Sequence, residues 1–234
     1  MKSIRRLRRY PTYVVDLLRY LRSPGAESWS SFSLRPMLED KTATTGFDAH
    51  YVYLGAWAFR QIVANRPERH VDIGAQIGWV TCLASITKVV FLDVRPFSGS
   101  VEDLESRAGN ILALPFADLE LPSVSCLHVA EHIGLGRYGD AIDPLGTRKA
   151  VGELARVLAV GGRLYFALPV GRPKVVFNAH RIHDPTTILQ WFGAEGLRVE
   201  EFAAVDDDGR FLRHANPRDF RDQRYACGMY LVRR

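Results

Sequence analysis

From about residue 48 onward, short apolar runs alternate with amphipathic segments. The apolar runs predict strands near 69–73, 88–93, 124–130 and 162–168. Apolar residues at helical spacing predict helices near 50–65, 78–86, 147–159 and 185–193. Two more apolar runs, 197–204 and 224–232, predict a closing antiparallel pair joined by the polar loop 206–209. This alternation predicts an α/β protein with a doubly wound, mostly parallel sheet and a C-terminal antiparallel hairpin.

The segment before residue 48 has a different pattern. Pro11 suits a first helical position, and Val14, Leu17, Leu18 and Leu21 share one face of a helix over 11–22. Residues 23–47 are rich in Ser, Thr, Pro and Gly, which is typical of a linker or lid. We therefore predict a basic amphipathic helix with a linker over 1–47 and a single α/β domain over 48–234.

The positive charge of the chain is concentrated at its start. The net charge is +5, and residues 1–22 hold seven basic residues and one acidic residue, so the remainder carries −1. A near-neutral body gives no reason to expect a nucleic-acid partner. The basic helix either lies on an anionic membrane surface or packs on the body or a partner, with its arginines solvated. The sequence leaves the oligomeric state open.

The cysteines and the hydropathy pattern indicate the compartment. Three cysteines in apolar surroundings, without metal-ligand spacing, are typical of thiols in a reducing environment. No apolar run reaches about 18 residues, and no apolar region of a secretory signal follows the basic start. We therefore expect a cytoplasmic protein, at the inner face of the membrane if the first helix binds lipid.

The first strand leads into the turn with the most chemical information. Asp72 is followed by the spacing Gly74-x-Gln76-x-Gly78, and the second strand ends at Asp93. A glycine turn before a helix lets a ligand approach the backbone, and a carboxylate after the second strand can accept hydrogen bonds from two ribose hydroxyls. The spacing lacks the G-x-G-x-x-G that admits a dinucleotide pyrophosphate. It therefore predicts a different nucleotide-like cofactor.

This turn resembles the D-x-G-x-G-x-G loop of class I S-adenosylmethionine-dependent methyltransferases, with Gln76 in place of the middle glycine. Residues 109–116 resemble the G-D-x-x-x-L-P-F loop of that family, and residues 125–132 resemble its fourth strand and the exit from it. Residues 153–164 resemble its E-L-x-R-V-L-x-P-G-G-x-L segment, with Val160 at the proline position. The resemblance covers about 70–170 and implies a seven-stranded sheet and S-adenosyl-L-methionine as cofactor.

The resemblance also assigns cofactor contacts. It places Asp93 at the ribose, Asn110 at the adenine amino group, and Asp72 near the methionine amino group unless Asp72 only caps the turn. The cofactor-binding residues that it implies are Asp72, Gly74, Gln76, Gly78, Asp93, Asn110, Ile111 and His128.

A closer resemblance concerns the acceptor. Residues 128–140, together with 177–181, resemble a poorly characterised bacterial family whose genes often lie beside genes for surface-polysaccharide synthesis. This resemblance implies methyl transfer to a sugar or lipid-linked glycan acceptor.

A hydroxyl acceptor needs a general base, and histidine titrates near neutral pH. We favour His132 as the base, with His180 second and Glu131 beside them; each histidine has the alternative of a hydrogen-bonded structural role. His128 is expected inside the fourth strand. The candidate substrate-binding residues follow the fourth and fifth strands: Arg137, Tyr138, Asp140, Asn178 and His183.

Two other functions and a metal-assisted form of methyl transfer remain as alternatives. His128-x-x-Glu131-His132 has the spacing of a zinc peptidase, but that motif needs a helix, and a strand is predicted there. A divalent metal on Glu131 and His132 would assist deprotonation of the acceptor, although we predict no metal. Gln76 alternatively marks a degenerate cofactor loop in a binding or scaffold protein of glycan assembly.

Overall fold

A computed structural model describes residues 8–234. The chain divides into two compact units, one ending at Phe47 and the other spanning Asp48–Arg234. In the first unit, helix α1 spans Tyr10–Leu21 with a proline in its first turn, and a short 3-10 helix spans Trp29–Ser31. Large apolar side chains of α1 are exposed, among them Val14, Val15 and Leu18. None of the helices within 8–234 has the length and apolar character needed to cross a membrane.

The second unit is built on one large sheet. Among the described residues this sheet has eight strands, in the order β3-β2-β1-β4-β5-β10-β8-β9. Their bounds are β1 Arg69–Ile73, β2 Lys88–Asp93, β3 Leu104–Ala108, β4 Leu121–Leu127, β5 Leu158–Val170, β8 Arg198–Val205, β9 Phe211–Leu212 and β10 Ala226–Arg233. A separate hairpin pairs β6, Lys174–Val176, with β7, His180–Ile182.

The sheet has the predicted doubly wound topology. Strands β1 to β5 pair in parallel, and β10 runs antiparallel between β5 and β8. The first seven strands in the sheet order form the predicted seven-stranded arrangement, and β9 adds a two-residue eighth strand at the edge. Because parallel strands end at one edge, the loops after β1, β2 and β4 meet there.

Helices cover both faces of the sheet. They are α2 Ala49–Asn65, α3 Ile77–Ala84, α4 Gly146–Val157 and α5 Pro185–Ala194. One apolar cluster packs Leu154 and Phe192 against the sheet, and a second packs Trp57, Ile62 and Val80 against the other face. In these four helices, apolar residues at helical spacing therefore form the buried faces, as predicted.

Several elements differ from the sequence prediction. Strand β4 ends at Leu127 instead of 130, because His128 adopts a left-handed backbone with φ of 58°. His128 thus lies just beyond the strand, contrary to the prediction. Strand β3 was not predicted because its edge sequence Leu-Glu-Ser-Arg-Ala has no apolar run. The chain between β8 and β10 also forms β9 and the 3-10 helix Pro217–Phe220, so it is more than a simple loop.

Candidate functional site

A cleft of about 650 Å³ opens in the second unit where the parallel strands end. Its walls come from the segments after β1, β2 and β4, from the start of α2, and from loops near residues 137 and 179. The predicted residues on its surface are Gly74, Gln76, Asp93, His128, Glu131, His132, Arg137, Tyr138 and His180. The strand topology thus brings nine of the predicted residues to one place.

The turn after β1 requires glycine at its first position. Gly74 has φ of +67°, and its N–H donates to the Leu92 carbonyl at 2.8 Å. A Cβ on residue 74 would lie 3.3 Å from the methyl groups of Val129 and 3.5 Å from Oδ2 of Asp93. The missing side chain therefore leaves the backbone open beside the Asp93 carboxylate.

Gln76 and Gly78 do not behave alike. Gln76 is the N-cap residue of α3, and its exposed side chain lines the cleft without bonding to the helix amides. Gly78 lies inside the first turn of α3, where an added Cβ would meet nothing within 4 Å. Gln76, which replaces the middle glycine of the motif, therefore leaves the amides at the start of α3 without a side-chain bond. Gly78 does not line the cleft.

Asp93 ends β2 and points into the cleft. Its side chain is 17% exposed, and Oδ1 accepts a hydrogen bond from the Arg95 amide at 2.7 Å. The Arg95 guanidinium lies 3.9 Å from the same oxygen. Arg95 was not identified from the sequence, because an arginine in a polar loop carries no pattern of its own.

Asp72 lies below the cleft instead of in it. Its carboxylate is fully buried, accepts from the Ala75 amide at 3.0 Å, and is bonded by the Ser125 hydroxyl. Ser125 also bonds the buried ring of His70 at 2.8 Å. Burial raises the pKa of Asp72 to about 7 and lowers the pKa of His70 to about 3. The geometry matches the turn-capping alternative for Asp72.

The loop after β3, which contains Asn110 and Ile111, lies beside the cleft. Gly109 and Ile111 line an inner recess beside Asp93 and Gly74. The Asn110 side chain is exposed, and its Oδ1 accepts from the Leu112 amide at 2.9 Å within the same turn. Ile111 therefore lies in the inner recess beside Asp93, whereas Asn110 shapes the loop.

His132 has the geometry of a proton acceptor. Its Nδ1 lies 2.6 Å from the Ala179 carbonyl, which fixes the ring proton on Nδ1. Its Nε2 lies 3.7 Å from Oε1 of Glu131, and the side chain is 14% exposed. The lone pair on Nε2 is therefore the part of the ring available for chemistry in the cleft.

Glu131 is a buried carboxylate at the base of the cleft. Its side chain is 1% exposed, and Oε1 bonds Nδ1 of His128 at 2.9 Å. Oε2 is buried without a hydrogen-bond partner among the described residues. Burial alone would raise the pKa of Glu131, but His128 and His132 lower it below its usual value. Glu131 therefore supplies a buried negative charge shared between two histidines.

His180 and His183 have different surroundings. His180 lines the cleft at the start of β7, and its ring centroid lies 5.0 Å from that of Tyr225. His183 packs edge-on against Trp191 and bonds the Thr147 hydroxyl at 3.3 Å. Burial lowers the pKa of His183 to about 4. His183 is thus a structural histidine, and Asn178 is exposed outside the lining.

Two arginines surround an aromatic ring at the cleft mouth. The guanidinium carbons of Arg95 and Arg137 lie 4.6 and 5.2 Å from the Tyr138 ring centroid. Arg137 also donates to the Ala179 carbonyl at 3.0 Å. The Asp140 carboxylate accepts from the Gly134 amide at 2.6 Å and the Tyr138 amide at 3.2 Å. Asp140 therefore holds the loop that presents Arg137 and Tyr138.

The peptidase alternative has no helix to carry it. Residues 128–132 follow the end of β4 and contain a single 3-10 turn, Ala130–His132. A zinc peptidase presents the two histidines from one α-helical face. The local structure therefore does not support that function.

Comparison with known sequences gives a partial match to a family model. A family model described as Caenorhabditis protein of unknown function, DUF268, matches residues 118–195, which is less than half of the chain. No curated protein matches in sequence.

Several solved structures share the architecture. The N-methyltransferase NodS from Bradyrhizobium japonicum, in complex with S-adenosyl-l-homocysteine, matches with 17% identity and a TM-score of 0.52, over 93% of this chain and 96% of NodS. A Burkholderia thailandensis 1,6-didemethyltoxoflavin-N1-methyltransferase matches with 13% identity and a TM-score of 0.56, over 77% of this chain and 79% of its own. The [4+2]-cyclase SpnF matches with 13% identity and a TM-score of 0.59, over 83% and 84%. The chain therefore has the Rossmann-like methyltransferase fold.

Proposed function

We propose that the second unit transfers a methyl group from S-adenosyl-L-methionine to a hydroxyl of a sugar or glycan intermediate. The observation that carries this proposal is the pairing of Gly74 and Asp93 across the cleft. A Cβ added at Gly74 would lie 3.5 Å from Oδ2 of Asp93 at the end of β2, so the glycine leaves the backbone open beside this carboxylate. In a doubly wound sheet this is where a nucleoside ribose is held. The two methyltransferases of like fold described above support the choice of cofactor.

The residues around Gly74 fit this cofactor. Asp93 would accept hydrogen bonds from the two ribose hydroxyls, and Gly109 and Ile111 would form the wall along the adenine. The space beside Gly74 and the Asp93 carboxylate is where a Cβ on residue 74 would lie. When bound, S-adenosylmethionine supplies an electrophilic methyl group on a sulfonium.

The acceptor side of the cleft supplies a base and a positive rim. Nε2 of His132 would take the proton from the acceptor hydroxyl, and the buried Glu131 carboxylate 3.7 Å away would stabilise the resulting imidazolium. Arg95 and Arg137 would bind a phosphate or carboxylate of the acceptor, since guanidinium groups recognise these anions. A charged sugar intermediate is therefore the acceptor class that we favour.

Calorimetric titration with S-adenosylmethionine and S-adenosylhomocysteine tests the cofactor site. Asp93→Ala should weaken both affinities by about 100-fold, because two charge-assisted hydrogen bonds are lost. Asp222→Ala is the matched control and should bind normally, since Asp222 is 89% exposed and its ion pair within residues 8–234 is with the exposed Arg172. Equal affinities in the two variants would contradict the assignment of Asp93.

A transfer assay with methyl-labelled cofactor and a panel of anionic sugar acceptors separates binding from catalysis. His132→Gln should keep the affinity for S-adenosylhomocysteine and lose about 100-fold or more of the transfer rate. If the unaltered protein binds neither cofactor form and also methylates none of the acceptors, a degenerate scaffold in glycan assembly becomes the leading function.

A further inference from the structure

Three potential metal ligands from distant parts of the sequence meet beside the cleft. His50 lies in the first turn of α2, His128 follows β4, and Cys227 lies in β10. Their ligand atoms all lie within 4.8 Å of one another. Nε2 of His128 lies 3.4 Å from Sγ of Cys227. This cluster takes no part in the methyl-transfer proposal.

The spacing and the donor types fit zinc. With Zn–N near 2.0 Å and Zn–S near 2.3 Å, tetrahedral coordination separates a nitrogen and a sulfur ligand by about 3.5 Å. The pair formed by His128 and Cys227 already has this separation, and His50 needs a shift on the order of 1 Å. One thiolate with two imidazoles favours zinc over magnesium or calcium, which take oxygen ligands.

Groups behind the two histidines would orient them as metal ligands. Nδ1 of His128 bonds the buried Glu131 carboxylate at 2.9 Å, leaving Nε2 directed at Cys227. The His50 ring stacks on the Tyr225 ring, with their centroids 5.1 Å apart. A ligating histidine commonly donates its second ring N–H to a carboxylate or carbonyl in this way. Oε2 of Glu131 is buried without a hydrogen-bond partner among the described residues, so the carboxylate acts on His128 through Oε1.

We propose that His50, His128 and Cys227 bind one zinc ion at the wall of the cleft. On binding, the Cys227 thiol loses its proton to solvent, and one Zn–S and two Zn–N bonds form. The fourth position is left to water or to an oxygen of a ligand in the cleft, which His128 lines. This donor set was invisible in the sequence because its members are 78 and 99 positions apart.

Zinc content and cobalt spectroscopy of the full chain test the site without any activity assay. After zinc loading and gel filtration, the unaltered protein should hold about one zinc per chain by mass spectrometry. Replacement with Co²⁺ should produce a thiolate-to-cobalt charge-transfer absorption. Cys227→Ser should abolish this band, and both Cys227→Ser and His50→Ala should weaken zinc binding by at least about 100-fold. Glu131→Gln should weaken it by about 10–100-fold, as expected for a group that orients a ligand.

Two other thiols provide matched controls. Cys82→Ser removes an exposed thiol and Cys126→Ser a buried one, and both variants should keep the zinc and the cobalt band. His50→Ala alters a half-exposed side chain, so it remains informative if Cys227→Ser fails to fold. The proposal is overturned if the unaltered protein takes up no zinc. It is also overturned if the folded variants retain as much zinc as the controls.

Discussion

At the residue scale, a buried polar chain under the cleft makes stability depend on two opposing titrations. Ser123 bonds His70, His70 bonds Ser125, and Ser125 bonds Asp72, all fully or almost fully buried. The pKa of His70 falls to about 3 in the folded protein. The free energy of unfolding therefore falls as the pH drops below 6.5, because the unfolded chain binds a proton that buried His70 does not. The pKa of Asp72 rises to about 7 in the folded protein. Protonated Asp72 therefore adds to the free energy of unfolding at low pH, and this contribution is lost as the pH rises through 7.

In the Asp72→Asn variant, the effect of His70 protonation on the free energy of unfolding should become measurable. Between pH 7 and pH 5, linkage from the two pKa values gives a gain of about 2 kcal/mol from Asp72 and a loss of about 2 kcal/mol from His70. The two nearly cancel in the unaltered protein, whereas the free energy of unfolding of Asp72→Asn should fall by about 2 kcal/mol more. Urea unfolding at both pH values measures this, and His70→Gln should show the opposite slope. Parallel pH dependence in all three proteins would contradict a protonated buried Asp72.

The sequence identified residue types at the site better than it identified their roles. The turn after β1 and the acid after β2 were predictable, because a strand, a glycine and a strand-end carboxylate follow one another along the chain. The resemblance implied a cofactor contact for Asp72 unless it only caps the turn, and His183 was expected at the substrate. Asp72 is fully buried as a turn cap and His183 is half-buried against Thr147, because burial depends on packing from other elements. Tyr225 and Cys227 were missed for the converse reason, since β10 reaches the cleft only in the folded sheet.

At the element scale, the small β6–β7 hairpin supports the loop that carries Arg137 and Tyr138. Arg181 of β7 is 6% exposed and donates to the carbonyls of Ile133 at 2.5 Å and Asp143 at 2.9 Å. Arg181 therefore closes the base of the loop, while Asp140 holds its interior. The sequence did not predict β6 or β7, because three-residue strands have no detectable periodicity.

Arg181→Leu should release this loop. The change removes two charge-assisted hydrogen bonds and leaves two carbonyls unpaired, so the free energy of unfolding should fall by about 3 kcal/mol. Hydrogen exchange should accelerate over residues 134–143 more than over β1 or β4. Arg172→Ala is the control and should cost under about 0.5 kcal/mol, since its ion pair with Asp222 is 74% and 89% exposed. A uniform acceleration across the sheet would mean that Arg181 supports global stability rather than the loop.

At the scale of the whole molecule, the two units differ in how they treat apolar side chains. The second unit buries its apolar faces in two clusters, whereas α1 has no buried residue and exposes Val14 and Leu18. Arg8, Arg9, Arg19 and Arg22 accompany this exposed face. An apolar stripe with flanking arginines suits the interface of an anionic bilayer, where each base contributes about 1 kcal/mol.

We therefore expect the full chain to bind vesicles that contain phosphatidylserine and to bind phosphatidylcholine vesicles far less. Val14→Asp with Leu18→Asp should weaken cosedimentation with anionic vesicles by at least about tenfold, because both the apolar contact and the local positive charge are reduced. Rising salt should weaken the binding as well, since the charges act through solvent. Val160→Asp is the matched control, because Val160 is a 79% exposed valine of the second unit. Equal cosedimentation of the double variant and this control would contradict membrane binding through the exposed face of α1, because an anionic surface should distinguish the two.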